Sequence, residues 1–380
     1  MTLPALFTIA LQCALRVAFV GDPQADGSGQ VVYNQRSVYR ELRSRKDLDL
    51  VIVMGDIVND DVSLLDPSIE SLDSLCVPWF SVPGNHDRDF YKDDGDGRPR
   101  DLSSWRRKIG YVDTTFVRKG IRFVLMNNVR TVGKNDYEGG FSEAQKQWLD
   151  SLVGISSREK QFVLAVHIPL SECRGRDSVM NILSPVSAKA AVFCGHTHTV
   201  RRHSLDSGME EIICGAVCGS WWRGVKDGNG LPYALMRCGS PRGYFVADFR
   251  RKGFRLDYKP VSRDDRASAT VVDSSGVVAV NIFGGSEDGH LEYRTAGSGK
   301  WLKAERSSRT APEVLKVSEW NYSKTREYRK AHKEEFIPML LRPSPHLWEF
   351  TDPAVSPGDV IRVRYTDPRM KKTLRLKVGI

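Results

Sequence analysis

Apolar residues in the first two-thirds of the chain come in short unbroken runs, and each run stops at a small polar cluster. Arg16–Val20 stops at Gly21-Asp22, Leu50–Met54 at Gly55-Asp56, and Trp79–Val82 at Gly84-Asn85-His86-Asp87. Phe162–Val166 stops at His167, and Ala190–Cys194 at Gly195-His196-Thr197-His198; Ile121–Met126 is a further run of this kind. Continuous apolar runs this short, bounded by glycine and polar residues, read as strands buried on both faces. Between them, Gln35–Arg45 carries Val38 and Leu42 on one side, and Ser142–Leu152 opens on a capping serine. Both read as amphipathic helices. The alternation predicts an α/β fold, with the ligand site where the polar clusters fall, at the C-terminal ends of the strands.

The character of the chain changes near Pro260–Ala269, a polar and charged connector. Beyond it lie short alternating runs, Thr270–Phe283, Gly289–Arg294, Leu347–Phe350, Val360–Tyr365 and Thr373–Val378, which read as a small sandwich-like β domain. Ser307–Phe336 is charged and only partly patterned, a long excursion or a helix. The expected organisation is a lead-in over 1–14, an α/β domain over 15–262 and a β domain over 270–380. The run Leu3–Val20 is apolar except for Thr8, Gln12 and Arg16, too short for a transmembrane span because it ends in the first strand. Leu3–Leu15 reads as the apolar region of a secretory signal, which implies a periplasmic or exported protein. An uncleaved first strand or helix in a cytoplasmic protein is the alternative.

Composition narrows the class without naming a function. The 380 residues are 41% hydrophobic and 27% charged, which excludes disorder, collagen-like repeats and a disulfide miniprotein. The net charge of +9 is spread along the chain; the locally dense stretch is Lys324–Lys333. Nucleic-acid binders concentrate Lys and Arg in a stripe with interleaved aromatics, so this distribution argues against nucleic acid as partner. The seven cysteines form no CxxC pair and read as buried thiols.

The polar clusters carry the chemistry. They present carboxylates, amide oxygens and imidazoles, the donors that hard and borderline divalent ions take. A glycine precedes most of them, where the backbone must turn sharply to bring the side chains inward. Each cluster alone has an ordinary structural reading, such as a turn aspartate or a hydrogen-bonded histidine. Together, in order and all at strand ends, they point to one metal site.

The ordered set Asp22-Pro23-Gln24, Gly55–Asp60, Gly84-Asn85-His86-Asp87, a lone His167 and Gly195-His196-Thr197-His198 resembles the signature of calcineurin-like metallophosphoesterases. Cys218–Trp222, Gly239–Tyr244 and Ser344–Trp348 are similar to a bacterial branch of that superfamily with a C-terminal β domain. The resemblance implies a four-layer α/β/β/α sandwich and a phosphohydrolase with two divalent ions, Mn, Fe, Zn, Co or Ni. It implies that Asp22, Gln24, Asp56 and His198 hold one ion, and that Asp56 bridges to a second held by Asn85, His167 and His196. His86 would face the leaving group. Two ions about 3.5–4 Å apart would clamp phosphoryl oxygens and generate a bridging hydroxide for in-line attack. The substrate class implied is a phosphorylated small molecule or glycan.

Two positions depart from the pattern. Gln24 stands where a histidine is usual, a weaker ligand that the family associates with manganese-dependent diphosphate hydrolases. Asn59 stands where an aspartate usually orients the catalytic histidine, so Asp60 or Asp87 is the candidate partner of His86. Trp221 and Trp222 are candidates for stacking a sugar or base, Arg223 or Lys226 for a distal phosphate, and Tyr137 and Tyr244 for a polar ring face. A non-catalytic glycan- or protein-binding scaffold on the same fold and a nuclease are the alternative functions. Mono- against diesterase activity and the oligomeric state stay open.

Overall fold

The computed structural model describes residues 14–89, 101–132, 136–296 and 299–380. Most of the candidate signal stretch therefore lies outside the described residues. In chain order the strands are β1 (Leu15–Val20), β2 (Leu50–Val53), β3 (Trp79–Ser81), β4 (Thr114–Arg118), β5 (Ile121–Leu125), β6 (Val129–Thr131), β7 (Tyr137–Gly139), β8 (Gln161–Ala165), β9 (Ala190–Cys194), β10 (Val200–Ser204), β11 (Glu210–Cys214), β12 (Gly243–Arg250) and β13 (Gly253–Pro260). They form two mixed sheets, ordered β13-β12-β1-β2-β3 and β10-β11-β9-β8-β5-β4, with β6 and β7 as a separate hairpin.

The sheets pack face to face. Phe19 of β1 stacks on Phe193 of β9 with ring centroids 3.7 Å apart, inside a core that takes Leu50, Ile52, Phe123 and Val163 from both sheets. The outer face of the first sheet is covered by helical segments carrying Val38, Leu42, Leu72 and Trp105. Leu149, Leu152, Val179 and Leu183 cover the outer face of the second. The result is four layers, α/β/β/α. Strands covered on both faces must be apolar throughout, which is why their runs were continuous rather than alternating.

Each sheet contains a run of neighbouring parallel strands: β1, β2 and β3 in one, β5, β8, β9 and β11 in the other. Their C-terminal ends lie on the same edge, so the polar clusters after β1, β2, β3, β8 and β9 meet there. The helix expected at Gln35–Arg45 begins earlier, at Ser28, and has a wide turn over Gln35–Tyr39. The helix Glu143–Ile155 is capped by Ser142, whose hydroxyl accepts from the Gln145 N–H while Gln145 accepts from the Ser142 N–H.

The C-terminal part is the expected sandwich-like β domain, closed as a seven-stranded barrel: β14 (Ala267–Val271), β15 (Val277–Ile282), β16 (His290–Arg294), β17 (Leu302–Arg306), β18 (Leu347–Thr351), β19 (Val360–Thr366) and β20 (Lys371–Gly379). Closure leaves no free sheet edge. The single run expected over Thr270–Phe283 is a hairpin, turned at Asp273–Gly276, where Asp273 accepts from the Ser275 N–H. Ser307–Phe336 contains the helix Pro312–Ser323, which seats Val314 against Leu235 and Ile337.

A buried polar network joins barrel and sheets. Arg202 of β10, fully buried, donates to Glu210, to Asp367 and to the Gly284 carbonyl. His346 lies between Asn281 (2.6 Å) and Ser240 (3.3 Å), and Ser344 donates to the Cys238 carbonyl. The Ser344–Trp348 segment thereby fastens the barrel to the α/β part. Among the described residues no helix is long and apolar enough to cross a membrane. The described cysteines are all free, and all but Cys76 are buried.

Candidate metal centre and active-site cleft

Six residues of the polar clusters adopt left-handed backbone: Asp22 (φ 43°), Gln24 (39°), Asp56 (49°), Asp60 (68°), His196 (71°) and His198 (53°). Side-chain-bearing residues rarely occupy this region, and such conformations gather where function requires them. Here they turn side chains off the strand ends toward a common point. The glycines beside them have a steric reason as well. A Cβ on Gly84 would land on the Asp56 carboxylate, and one on Gly195 would come within 2.7 Å of Asp22 Oδ2.

Asp22, Gln24, Asp56, Asn85, His167 and His198 are all buried. His167 Nδ1 is 2.7 Å from the Met54 carbonyl, an acceptor, so it carries the hydrogen. Its Nε2 faces Asn85 Oδ1 at 3.0 Å and Asp56 Oδ2 at 3.3 Å. His198 repeats the arrangement: Nδ1 donates to the Gly219 carbonyl at 2.7 Å, and Nε2 points to Asp22 Oδ1 at 4.0 Å. A donor atom each from Asp56, His167 and His196 falls within 4.8 Å of the others. Oxygen and nitrogen acceptors converging in a buried space fit a divalent cation. The backbone carbonyls behind the two histidines fix their tautomers, as such outer partners do at metal sites.

The titration behaviour follows from the same crowding. Burial pushes the Asp22 carboxyl well above the usual carboxylate range. Burial acts the same way on Asp56, but the charge and hydrogen bond of His167 outweigh it and hold Asp56 well below that range. His167, which burial would lower, is raised to about 9 by Asp56. Burial and the charge of His167 push His196 down to about 3, and burial lowers His198 to about 4.

His86 is anchored beside this cluster. Its N–H donates to Asp56 Oδ1 at 2.9 Å, and its carbonyl accepts from the Asp60 N–H at 3.1 Å. Its ring Nδ1 lies 2.6 Å from Asp60 Oδ1. Burial lowers its pKa, yet the hydrogen bond to Asp60 and the charge of Asp56 more than compensate and raise it. Asp87 does not share this task. It is fully buried and accepts from the Val58 and Gly84 N–H groups, at 3.1 and 2.8 Å, which ties two of the loops together; burial and the nearby Asp56 charge raise it to about 7. Asn59 accepts from Gln24 at 3.1 Å.

A cleft of about 820 Å³ opens over the cluster, lined on one side by Gln24, Asp56, His86, His196 and His198. Trp221 lies in it, its ring 5.1 Å from that of His198, and the Arg237 guanidinium sits over the Trp221 ring at 5.0 Å. Tyr137 lines the same cleft edge-on to His196. The far wall comes from the C-terminal part, with Arg306, Arg342 and Pro343–Pro345. Trp222 and Tyr244 do not serve as the sequence suggested. Trp222 is 3% exposed, donates its indole N–H to the Pro23 carbonyl and packs on Tyr33, so it braces the loop of Asp22 and Gln24. Tyr244 is buried in β12 with its hydroxyl on Glu41. Arg223 is exposed and lines a neighbouring groove with Trp221 and Asn59. Arg237 and Arg342 escaped the sequence reading because neither stands in a motif; the fold alone brings them to the cleft.

A two-sheet α/β sandwich with this histidine–carboxylate cluster at its strand ends defines a metal-dependent phosphoester hydrolase. The calcineurin-like phosphoesterase model matches residues 15–200, and the model for the C-terminal domain of calcineurin-like phosphoesterases matches 211–372. The chain belongs to the calcineurin-like phosphoesterase family. It is 24% identical over 213 residues to a probable glycerophosphodiester phosphodiesterase of Arcobacter nitrofigilis, covering 48% of this chain and 72% of that protein. Over 85 residues it is 29% identical to a manganese-dependent ADP-ribose/CDP-alcohol diphosphatase of Danio rerio, covering 20% of this chain and 26% of that protein. Among solved structures, a dimetal phosphatase from Danio rerio superposes with a TM-score of 0.48 and 16% identity, over 65% of this chain and 96% of that one.

Proposed function

We propose that the protein hydrolyses phosphodiester or diphosphate bonds in small molecules that carry a ring beside the scissile phosphate. The observation that carries this reading is the Asp60-backed His86 at the edge of the acceptor cluster, in one cleft with Trp221 and Arg237. The names of two relatives, a glycerophosphodiester phosphodiesterase and an ADP-ribose/CDP-alcohol diphosphatase, support diesters and diphosphates over monoesters.

Asp22, Gln24, Asp56 and His198 would hold one divalent ion, and Asp56, Asn85, His167 and His196 a second, with manganese the candidate. Bound there, the ions would supply positive charge to the phosphoryl oxygens and lower the pKa of water. The rest falls to the chain itself. Asp56 has two oxygens and stands between both sets of donors. His86 holds a proton at the edge of the cleft, and Asp60 keeps the ring in place and favours its charged form, so that the departing alkoxide receives that proton as its bond to phosphorus breaks. Trp221 offers a ring face to the group next to the phosphate. Arg237 and Arg342 lie beyond it and suit a further anionic group.

The test compares bis-p-nitrophenyl phosphate with p-nitrophenyl phosphate on metal-stripped protein refilled with manganese. Turnover returns with the metal, is faster on the diester and falls to background in Asp56→Asn. His86→Ala lowers kcat by about 10²–10⁴ on substrates with an alkyl leaving group. A faster monoester, or turnover indifferent to Asp56→Asn, would overturn the reading.

A further inference from the structure

A second cavity, of about 680 Å³, lies away from the metal cluster, between the loop Gly224–Tyr233 and the helix Pro312–Ser323. That volume suits a small molecule. Its walls are largely apolar, with Tyr233, Val261, Val317, Trp320 and Ile337 among them. Arg242 lines it and is only 6% exposed. The guanidinium stacks over the Trp222 ring at 5.0 Å, yet its buried Nη1 has no hydrogen-bond partner, and Arg242 forms no ion pair among the described residues. A buried guanidinium without a paired carboxylate is costly, and the Trp222 ring and the charges of Asp227 and Glu41 offset that cost only in part. Burial pushes the Arg242 pKa down, and the charge of Asp227 opposes it only in part.

The acids on the cavity wall bond to neutral donors, and none forms an ion pair with Arg242. Asp227 accepts from the Asn229 and Leu231 N–H groups, Glu313 from Ser268 and Asn281, and Glu335 from the Tyr328 hydroxyl. Arg263 is paired with Asp265. Lys226 and Lys316 also line the cavity and make no ion pair among the described residues. The cavity therefore joins an apolar body to a buried guanidinium that has no ion-pair partner among the described residues.

We propose that this cavity is a second binding site, for a small organic anion with an apolar body, the anionic group pairing with Arg242. A planar carboxylate matches the guanidinium fork. The probe is 3-phenylpropionate, a weak metal ligand, titrated into the metal-loaded protein by isothermal calorimetry. One site is expected. Affinity should fall at least about tenfold for acetate, which has the charge without the ring, and for Arg242→Gln. Val317→Trp, which fills the cavity and leaves the arginine in place, should weaken binding as much. Asp56→Asn, at the metal cluster, should leave binding unchanged, which separates this site from the proposed active site. Absence of binding at millimolar probe, loss of binding in Asp56→Asn, or unchanged binding in both Val317→Trp and Arg242→Gln would overturn the proposal.

Discussion

His86 is held from three sides: its N–H on Asp56, its carbonyl on the Asp60 N–H, and its ring nitrogen on the Asp60 carboxylate. A residue so fixed has little freedom to do anything but face the cleft. Asp60→Asn keeps the shape and removes the charge that favours the protonated ring. On a substrate with an alkyl leaving group, kcat should drop about 10- to 100-fold with KM little changed. On bis-p-nitrophenyl phosphate the loss should be much smaller, because p-nitrophenolate departs without a proton. Equal losses on both substrates would assign Asp60 a purely structural role. The same scale shows where sequence reasoning reached its limit. Trp221 and Trp222 are neighbours with nearly the same left-handed backbone (φ 58° and 50°), yet one lines the cleft and the other fills the core. No local pattern separates them; only the partners do, His198 and Arg237 for one, Pro23 and Tyr33 for the other. Asp60 and Asp87 were likewise equivalent candidates until the fold gave Asp87 two backbone N–H groups to hold.

At the scale of elements, strand and loop divide the work. The apolar runs were legible because both faces of each central strand are covered, and their abrupt ends marked the loops that carry the candidate ligands. Strands β12 and β13 were harder to read. They sit at one side of their sheet, and β13 alternates buried with half-buried or exposed residues without a continuous run. The loops themselves are built on contacts that a methyl group would violate. Gly84→Ala would drive its Cβ into the Asp56 carboxylate and backbone N–H, so bound manganese measured on the purified variant should fall below that of the wild type, and turnover should fall with it. Full metal content and full activity in that variant would contradict the packing described for the cluster.

At the scale of the molecule, the junction between sheets and barrel is polar and buried. His346 is fully buried there, and burial, reinforced by the charge of Arg306, lowers its pKa to about 3. The unfolded chain binds a proton at this residue near pH 6.5, so between about pH 6.5 and pH 3 the unfolded state holds more protons than the native state. The stability contributed by neutral His346 is thus fully present above about pH 6.5 and is lost as the pH falls toward 3. Urea titrations across that window should show a shallower pH dependence in His346→Gln than in the wild type; parallel curves would refute a neutral buried histidine at the junction. The sequence marked the segment Ser344–Trp348 but not its task, since pairing with Asn281 and Ser240 depends on strands distant in the chain.

The cleft has two authors. Its floor is laid down by residues 22–198, while its far wall is raised by Arg306 and Arg342–Pro345, encoded after most of the barrel has been specified. On the proposed function, the residues that would break the bond and the wall that would meet the rest of the substrate therefore come from separate stretches of the chain. Substitution in the later stretch reshapes that wall and leaves every candidate ligand in place, so the outline of the cleft can change without a change in the cluster beneath it.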